Sequence, residues 1–299
     1  AMFPLIGSVP GSLLGTLVLM LATLTGPVSA QSVLDEWVAG SHAGFGAALS
    51  PLGDVNGDGH DDVLVVADSG GEPGHPVAVH VVSGRTGHAL TTFHEPGIPS
   101  YGQAAAGIGD VDGDGLGDIA VTAPDHPETL GSVFVYSAVD GRLLLEVRGQ
   151  GGRRFGTAVA GLDDVNGDGH ADFLVGAPAS SGSVTKRNHQ RYLGPAPLGA
   201  TVSLGSVTGR IYILSGAEGS LLREVAGNDG DHDFGQHLTC VGNINTDGVQ
   251  DFAAVTRDHT GEARVVVHSG ANGYRLADFP AGLGDPVLAL SVVGDVNRD

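Results

Sequence analysis

Five oxygen-bearing or glycine positions recur along this chain at a spacing that suits a hard metal ion. Asp164, Asn166, Asp168, Gly169 and Asp172 stand at positions 1, 3, 5, 6 and 9 of one loop. Oxygen side chains at every second position of a tight loop can face one centre, and calcium takes six to eight oxygens at such a centre. Glycine at position 6 allows the sharp turn. The backbone carbonyl at position 7, here His170, is the expected extra ligand. The spacing returns as Asp54, Asn56, Asp58, Gly59 and Asp62 with His60 at position 7. It returns again as Asp110, Asp112, Asp114, Gly115 and Asp118 with Leu116 at position 7. A weaker copy, Asn243, Asn245, Asp247, Gly248 and Asp251 with Val249 at position 7, lacks the first carboxylate. Asp295, Asn297 and Asp299 open a fifth copy. The pattern predicts calcium in the first three loops and a fourth candidate of lower charge, since affinity follows ligand charge. Asp, Asn and Gly are also ordinary turn residues, but a plain turn places no demand on position 9.

The elements that must hold these loops are short strands. Nine residues before each of the four full loops stands an aromatic followed by Gly: Phe45-Gly46, Tyr101-Gly102, Phe155-Gly156 and Phe234-Gly235. The spacings between these pairs are 56, 54 and 79 residues. Repeats of about 50 residues indicate propellers or solenoids. Each repeat reads as four strands. In the third they are Gly156 to Leu162, Phe173 to Ala177, Arg210 to Ser215 and Leu221 to Val225, with the acidic loop between the first two. The last two strands are joined by a turn of one type: Gly84 to Gly87, Ala138 to Gly141, Gly216 to Gly219 and Gly270 to Gly273. Radially repeated four-stranded units make an all-β fold, a β-propeller, with the repeat aromatics packed between blades. The predicted repeats start near 45, 101, 155, 234 and 286: four blades and the start of a fifth. Val33 to Val38 reads as the last strand of a repeat whose other strands are missing. The long third spacing carries an insertion, 179–206, rich in Ser, Gly and Pro, with Lys186, Arg187 and Arg191 inside it. It is open to two readings, a ligand-binding loop or a solvated surface loop.

Composition narrows the function. The chain has 299 residues, 50 of them Gly, and a formal net charge of −20. Such a charge argues against nucleic acid as a partner, because the phosphate backbone would be repelled. Twelve of the 34 acidic residues occupy metal-ligand positions of the four loops. Cys240 is the only cysteine, so there is no intrachain disulfide; it is either a reactive thiol or a small buried strand residue. Residues 1–30 hold an apolar run, Leu13 to Leu24, and a small-residue site ending at Ala30, which reads as a secretory signal peptide. An uncleaved anchor is the alternative, although the apolar run is shorter than a span of about 20 residues. The mature domain would be 31–299, ending inside a metal loop and so an incomplete propeller.

An aromatic-Gly pair, an Asp-x-Asp/Asn-x-Asp-Gly-x-x-Asp loop and a Gly-Ala-Pro ending together resemble the FG-GAP repeat, found in the N-terminal propeller of integrin alpha chains and in many secreted bacterial proteins. Phe155-Gly156 and Gly176-Ala177-Pro178 match both halves. The second repeat keeps only Ala123-Pro124, and the first and fourth end in Ala67-Asp68 and Thr256-Arg257. The resemblance implies about seven blades in the complete protein, with calcium in the loops between first and second strands. An EF-hand would need Glu at position 12 and flanking helices; here position 12 is Val65, Val121, Val175 and Ala254.

No catalytic constellation is present. The chain has no His-Glu-x-x-His, no Gly-x-Ser-x-Gly and no phosphate-binding Gly-x4-Gly-Lys. The expected function is a secreted or cell-surface, non-catalytic binding or adhesion module with structural calcium. Its partner would be an extracellular protein or glycan, and it would meet a membrane only through an anchor outside the propeller. The alternative is an accessory propeller of a larger secreted hydrolase or phospholipase-type enzyme.

Overall fold

In the computed structural model, residues 16–19, 35–38, 45–67, 77–179 and 208–281 are described, apart from 96, 127–128, 130, 150–153, 229–230, 232 and 258–259. The fifth acidic loop, the body of the 179–206 insertion with its basic residues, most of 1–30, and the side chain of Phe45 lie outside the described residues. Two short strands come first, β1 (Thr16–Leu19) and β2 (Asp35–Val38), paired antiparallel. Of the expected Val33 to Val38 strand, Asp35–Val38 is described, and it pairs with Thr16–Leu19 inside the apolar run Leu13 to Leu24.

Sixteen further strands form four four-stranded antiparallel meanders. Blade 1 is β3 (Phe45–Gly53), β4 (Asp62–Ala67), β5 (Ala78–Val82) and β6 (Ala89–Phe93). Blade 2 is β7 (Ala105–Gly109), β8 (Asp118–Ala123), β9 (Ser132–Ser137) and β10 (Leu143–Arg148). Blade 3 is β11 (Ala158–Leu162), β12 (Asp172–Ala177), β13 (Arg210–Leu214) and β14 (Leu221–Ala226). Blade 4 is β15 (Leu238–Gly242), β16 (Asp251–Arg257), β17 (Ala263–His268) and β18 (Arg275–Pro280). The first strands lie side by side, β3 on β7, β7 on β11 and β11 on β15. The second and third strands are valine- and isoleucine-rich and buried on both faces, as in β8 and β9. The fourth strands alternate and are largely exposed, as in β10 and β18.

Three apolar cores fill the three gaps between blades. Leu64, Val66 and Val79 of blade 1 meet Ile119, Val121 and Phe134 of blade 2. Ala120, Val133 and Val135 of blade 2 meet Phe173, Val175 and Tyr212 of blade 3. Leu174, Ile211 and Ile213 of blade 3 meet Phe252, Ala254 and Val266 of blade 4. Tyr101, Phe155 and Phe234, the repeat aromatics, are each buried in one of these cores. The glycine after each aromatic has a positive φ, 79° at Gly102, 91° at Gly156 and 89° at Gly235, which a side chain would oppose. Gly156 donates its amide to Gly176 O at 3.0 Å, so the two halves of the repeat motif close on each other within one blade.

Turns also knit neighbouring blades. Arg223 of β14 donates to Ala271 O at 2.7 Å and Asn272 O at 3.0 Å, capping the β17–β18 turn of the next blade. Thr91 Oγ1 of β6 donates to Ala138 O in blade 2.

Candidate metal centre

Each acidic loop joins the first two strands of a blade and is built by its own carboxylates. In loop 1, Asp54 Oδ1 accepts the amides of Gly57 (2.8 Å) and Asp58 (3.1 Å), and Oδ2 accepts that of Gly59 (2.7 Å). Asp110 repeats this with Gly113, Asp114 and Gly115. Asp164 repeats it with Gly167, Asp168 and Gly169. Position 3 accepts the amide of position 5, and position 5 that of position 7. In loop 3 these bonds are Asp168 N to Asn166 Oδ1 (2.8 Å) and His170 N to Asp168 Oδ1 (2.9 Å). The same pairs occur as Asp58 with Asn56 and His60, Asp114 with Asp112 and Leu116, and Asp247 with Asn245 and Val249. The glycines at position 6 have φ of 85° to 92°, and those at position 4 of the first three loops 74° to 81°.

Loop 4 departs for a chemical reason. Asn243 has one acceptor oxygen where Asp has two, and it accepts only the Asp247 amide, at 3.1 Å. Position 4 is Thr246, held at a φ of 60° that a β-branched residue resists.

The position-9 carboxylates are the deepest. Asp62, Asp172 and Asp251 are fully buried and Asp118 is 1% exposed. One oxygen of each accepts the position-2 amide, from Val55, Val111, Val165 and Ile244. In blades 1, 3 and 4 the other oxygen accepts an amide from the turn between the third and fourth strands: Gly84, Gly216 and Gly270 at 3.1, 3.1 and 3.3 Å. Sequence reasoning identified these turns but gave them no part in the site. The serine-led turn that follows every third strand was the available signal.

Blade 2 differs. Asp118 Oδ1 is buried and has no hydrogen-bond partner. One carboxylate oxygen from each of Asp110, Asp112 and Asp118 lies within 4.8 Å of the others. Asp114 lies outside that trio, and loops 1 and 3 carry Asn where loop 2 has Asp112. Arg142 Nη2 donates to Asp112 Oδ2 at 3.0 Å, from the turn of the same blade. A buried anionic oxygen without a donor is costly. A cation among three carboxylates removes that cost, so the residues of loop 2 fit a hard divalent ion.

The electrostatics follow burial. Desolvation raises the Asp118 carboxyl to about 7, with the neighbouring Asp112, Asp114 and Asp110 adding to it against the Val111 amide. Burial also raises Asp62 and Asp172. At the loop surface the opposite holds. The Gly59 amide leads the groups that lower Asp54, and the Val249 amide those that lower Asp247. Burial opposes the same effect at Asp164, where the amides of Gly169, Gly167 and Asp168 lower the carboxyl.

Four antiparallel four-stranded blades, packed face to face with an acidic loop between the first two strands of each, define a β-propeller of repeated blades. Residues 155–190 match the FG-GAP repeat model, and residues 54–121 match an FG-GAP-like repeat model. The chain is similar to integrin alpha-4 of Xenopus laevis, 32% identical over 158 residues, which is 48% of this chain and 15% of that protein. It is also similar to integrin alpha-3 of Cricetulus griseus, 33% identical over 180 residues, 55% of this chain and 17% of that one. The chain thus spans less than a fifth of either relative's length. The chain therefore carries FG-GAP-type repeats and is similar in sequence to integrin alpha chains.

Proposed function

We propose that this propeller is a non-catalytic extracellular binding or adhesion module whose blades are held by calcium in the acidic loops. Loop 2 carries the proposal: three carboxylates close together, one of them buried with an oxygen that no donor satisfies. Asp110, Asp112, Asp114 and Asp118, with the Leu116 carbonyl, would hold the ion. The corresponding sets are Asp54, Asn56, Asp58, His60 and Asp62 in loop 1, and Asp164, Asn166, Asp168, His170 and Asp172 in loop 3. Asn243, Asn245, Asp247, Val249 and Asp251 form the weaker fourth set. When bound there, the ion would supply positive charge that offsets carboxylate repulsion, and the loop residues would thereby hold the hairpin between the first two strands. The residues themselves set the loop shape through the amide-to-carboxylate bonds already described. Extracellular delivery would use residues 1–30 as a leader cut after Ala30, a cut that would remove β1 and leave β2 without that partner. The similarity to integrin alpha chains supports an extracellular protein ligand.

A thermal melt in millimolar calcium, in millimolar magnesium and in excess chelator tests this. Sites with dissociation constants on the order of 0.1 to 1 mM suffice outside a cell. Each contributes about 1.4 kcal/mol when calcium is tenfold above that constant. The expected result is a rise of several degrees in Tm with calcium, not reproduced by magnesium. Equal melts in calcium and chelator would reduce the loops to plain turns.

A further inference from the structure

The turn between third and fourth strands has a serine followed by glycine in three blades: Ser83-Gly84, Ser215-Gly216 and Ser269-Gly270. A Cβ built on any of these glycines overlaps a backbone carbonyl of the residue before the position-9 aspartate: Asp61 O, Ala171 O and Gln250 O. Glycine is therefore what lets the turn come close enough for its amide to reach the carboxylate. Blade 2 has Ser137-Ala138 instead, with Ala138 fully buried. Its turn keeps the shape of the others, with Ser137 N donating to Arg142 O and Gly141 N to Ser137 O. Its position-2 contact is also intact, Val111 N to Asp118 Oδ2 at 2.8 Å. What is lost is the one bond that the extra methyl would block, and Asp118 Oδ1 is left bare.

We infer that Ala138 sets the second acidic loop apart as the tightest calcium site of the described blades, by releasing a buried carboxylate oxygen that the turn glycine ties up elsewhere. The inference rests on the calcium reading of the loops and adds the residue that ranks them. In blades 1, 3 and 4 the position-9 carboxylate gives both oxygens to amides, so an arriving ion must share or displace one. In blade 2 Asp118 is 1% exposed and keeps Oδ1 without a partner, and one of its carboxylate oxygens lies within 4.8 Å of one from each of Asp110 and Asp112, so a cation meets no turn amide to displace. Arg142 is a second feature that sets this blade apart. It shares Asp112 and so balances the fourth carboxylate that this loop carries in place of Asn.

Restoring the glycine tests this with opposite signs in two conditions. In Ala138→Gly the backbone amide at that position regains its approach to Asp118 Oδ1. The full chain should then melt higher than wild type in chelator, and its calcium-induced rise in Tm should shrink. Calorimetric titration with calcium should show the tightest class of sites weakened about tenfold or more, with the weaker classes unchanged. Asp118→Asn should remove that class altogether. A general effect of a more flexible glycine would lower the melt in both conditions and leave the titration as in wild type, and that result overturns the inference. So does an Ala138→Gly protein whose tightest class is unchanged while wild type takes up calcium. If the wild-type chain takes up no calcium, the cation reading beneath the inference fails instead.

Discussion

Asp118 shows what one residue does when its surroundings change by a methyl group. Its three counterparts are equally buried but each holds at least two amides, one on each oxygen. Asp118 holds one, and burial raises its carboxyl to about 7 from an ordinary 3.8. A raised folded value means that the folded state keeps a proton that the unfolded state has lost. Its contribution is fully present below pH 4 and is lost as pH rises towards 7. In chelator, Asp118→Asn should therefore match wild type near pH 4. It should become the more stable protein near pH 7, by up to about 4 kcal/mol. Urea unfolding at the two pH values measures the crossover. Calcium should cancel the advantage at pH 7, because the ion takes the place of the proton. Nothing in the residue string marks Asp118 as different from Asp62, Asp172 or Asp251. The difference lies 20 residues on, at Ala138, and became visible only once the turn was seen lying over the loop.

At the scale of elements, periodicity and turn residues were legible in advance. The third repeat reads as strands ending at Leu162, Ala177, Ser215 and Val225, and the observed strands end at Leu162, Ala177, Leu214 and Ala226. Short β-branched runs between Gly-rich turns leave little else for the backbone to do. The contacts between elements of different blades were not legible. Arg223 is an unremarkable charged residue of an exposed strand until its guanidinium is seen capping two carbonyls of the next blade's turn. Gly273 packs against the same side chain. Arg223→Ala should cost about 1.5–3 kcal/mol, the range for hydrogen bonds to a charged group. Hydrogen exchange should quicken at the Ser269 and Gly273 amides while the blade 2 turn stays protected. Exchange unchanged at both amides would mean that the cap contributes nothing.

The whole molecule combines three apolar inter-blade cores with a net charge of −20. Apolar burial holds the blades together, and charge repulsion among the loops works against it. Without calcium the protein should gain stability when salt rises from about 10 to 200 mM, because the screening length falls to less than about 10 Å. With calcium bound the gain should largely vanish, and melts over that salt range in chelator and in calcium compare the two. The chain by itself determined the repeat, the blade count in the described region, the acidic loops and the burial of the aromatics. These follow from local spacing and from hydrophobic pattern, which act along the chain. Only the tertiary structure decided that β2 pairs with β1, that the serine-led turns reach the position-9 carboxylates, and that one blade leaves its carboxylate bare. Those outcomes depend on approaches of a few ångströms between segments far apart in sequence, where one Cβ against one carbonyl oxygen decides whether a hydrogen bond forms.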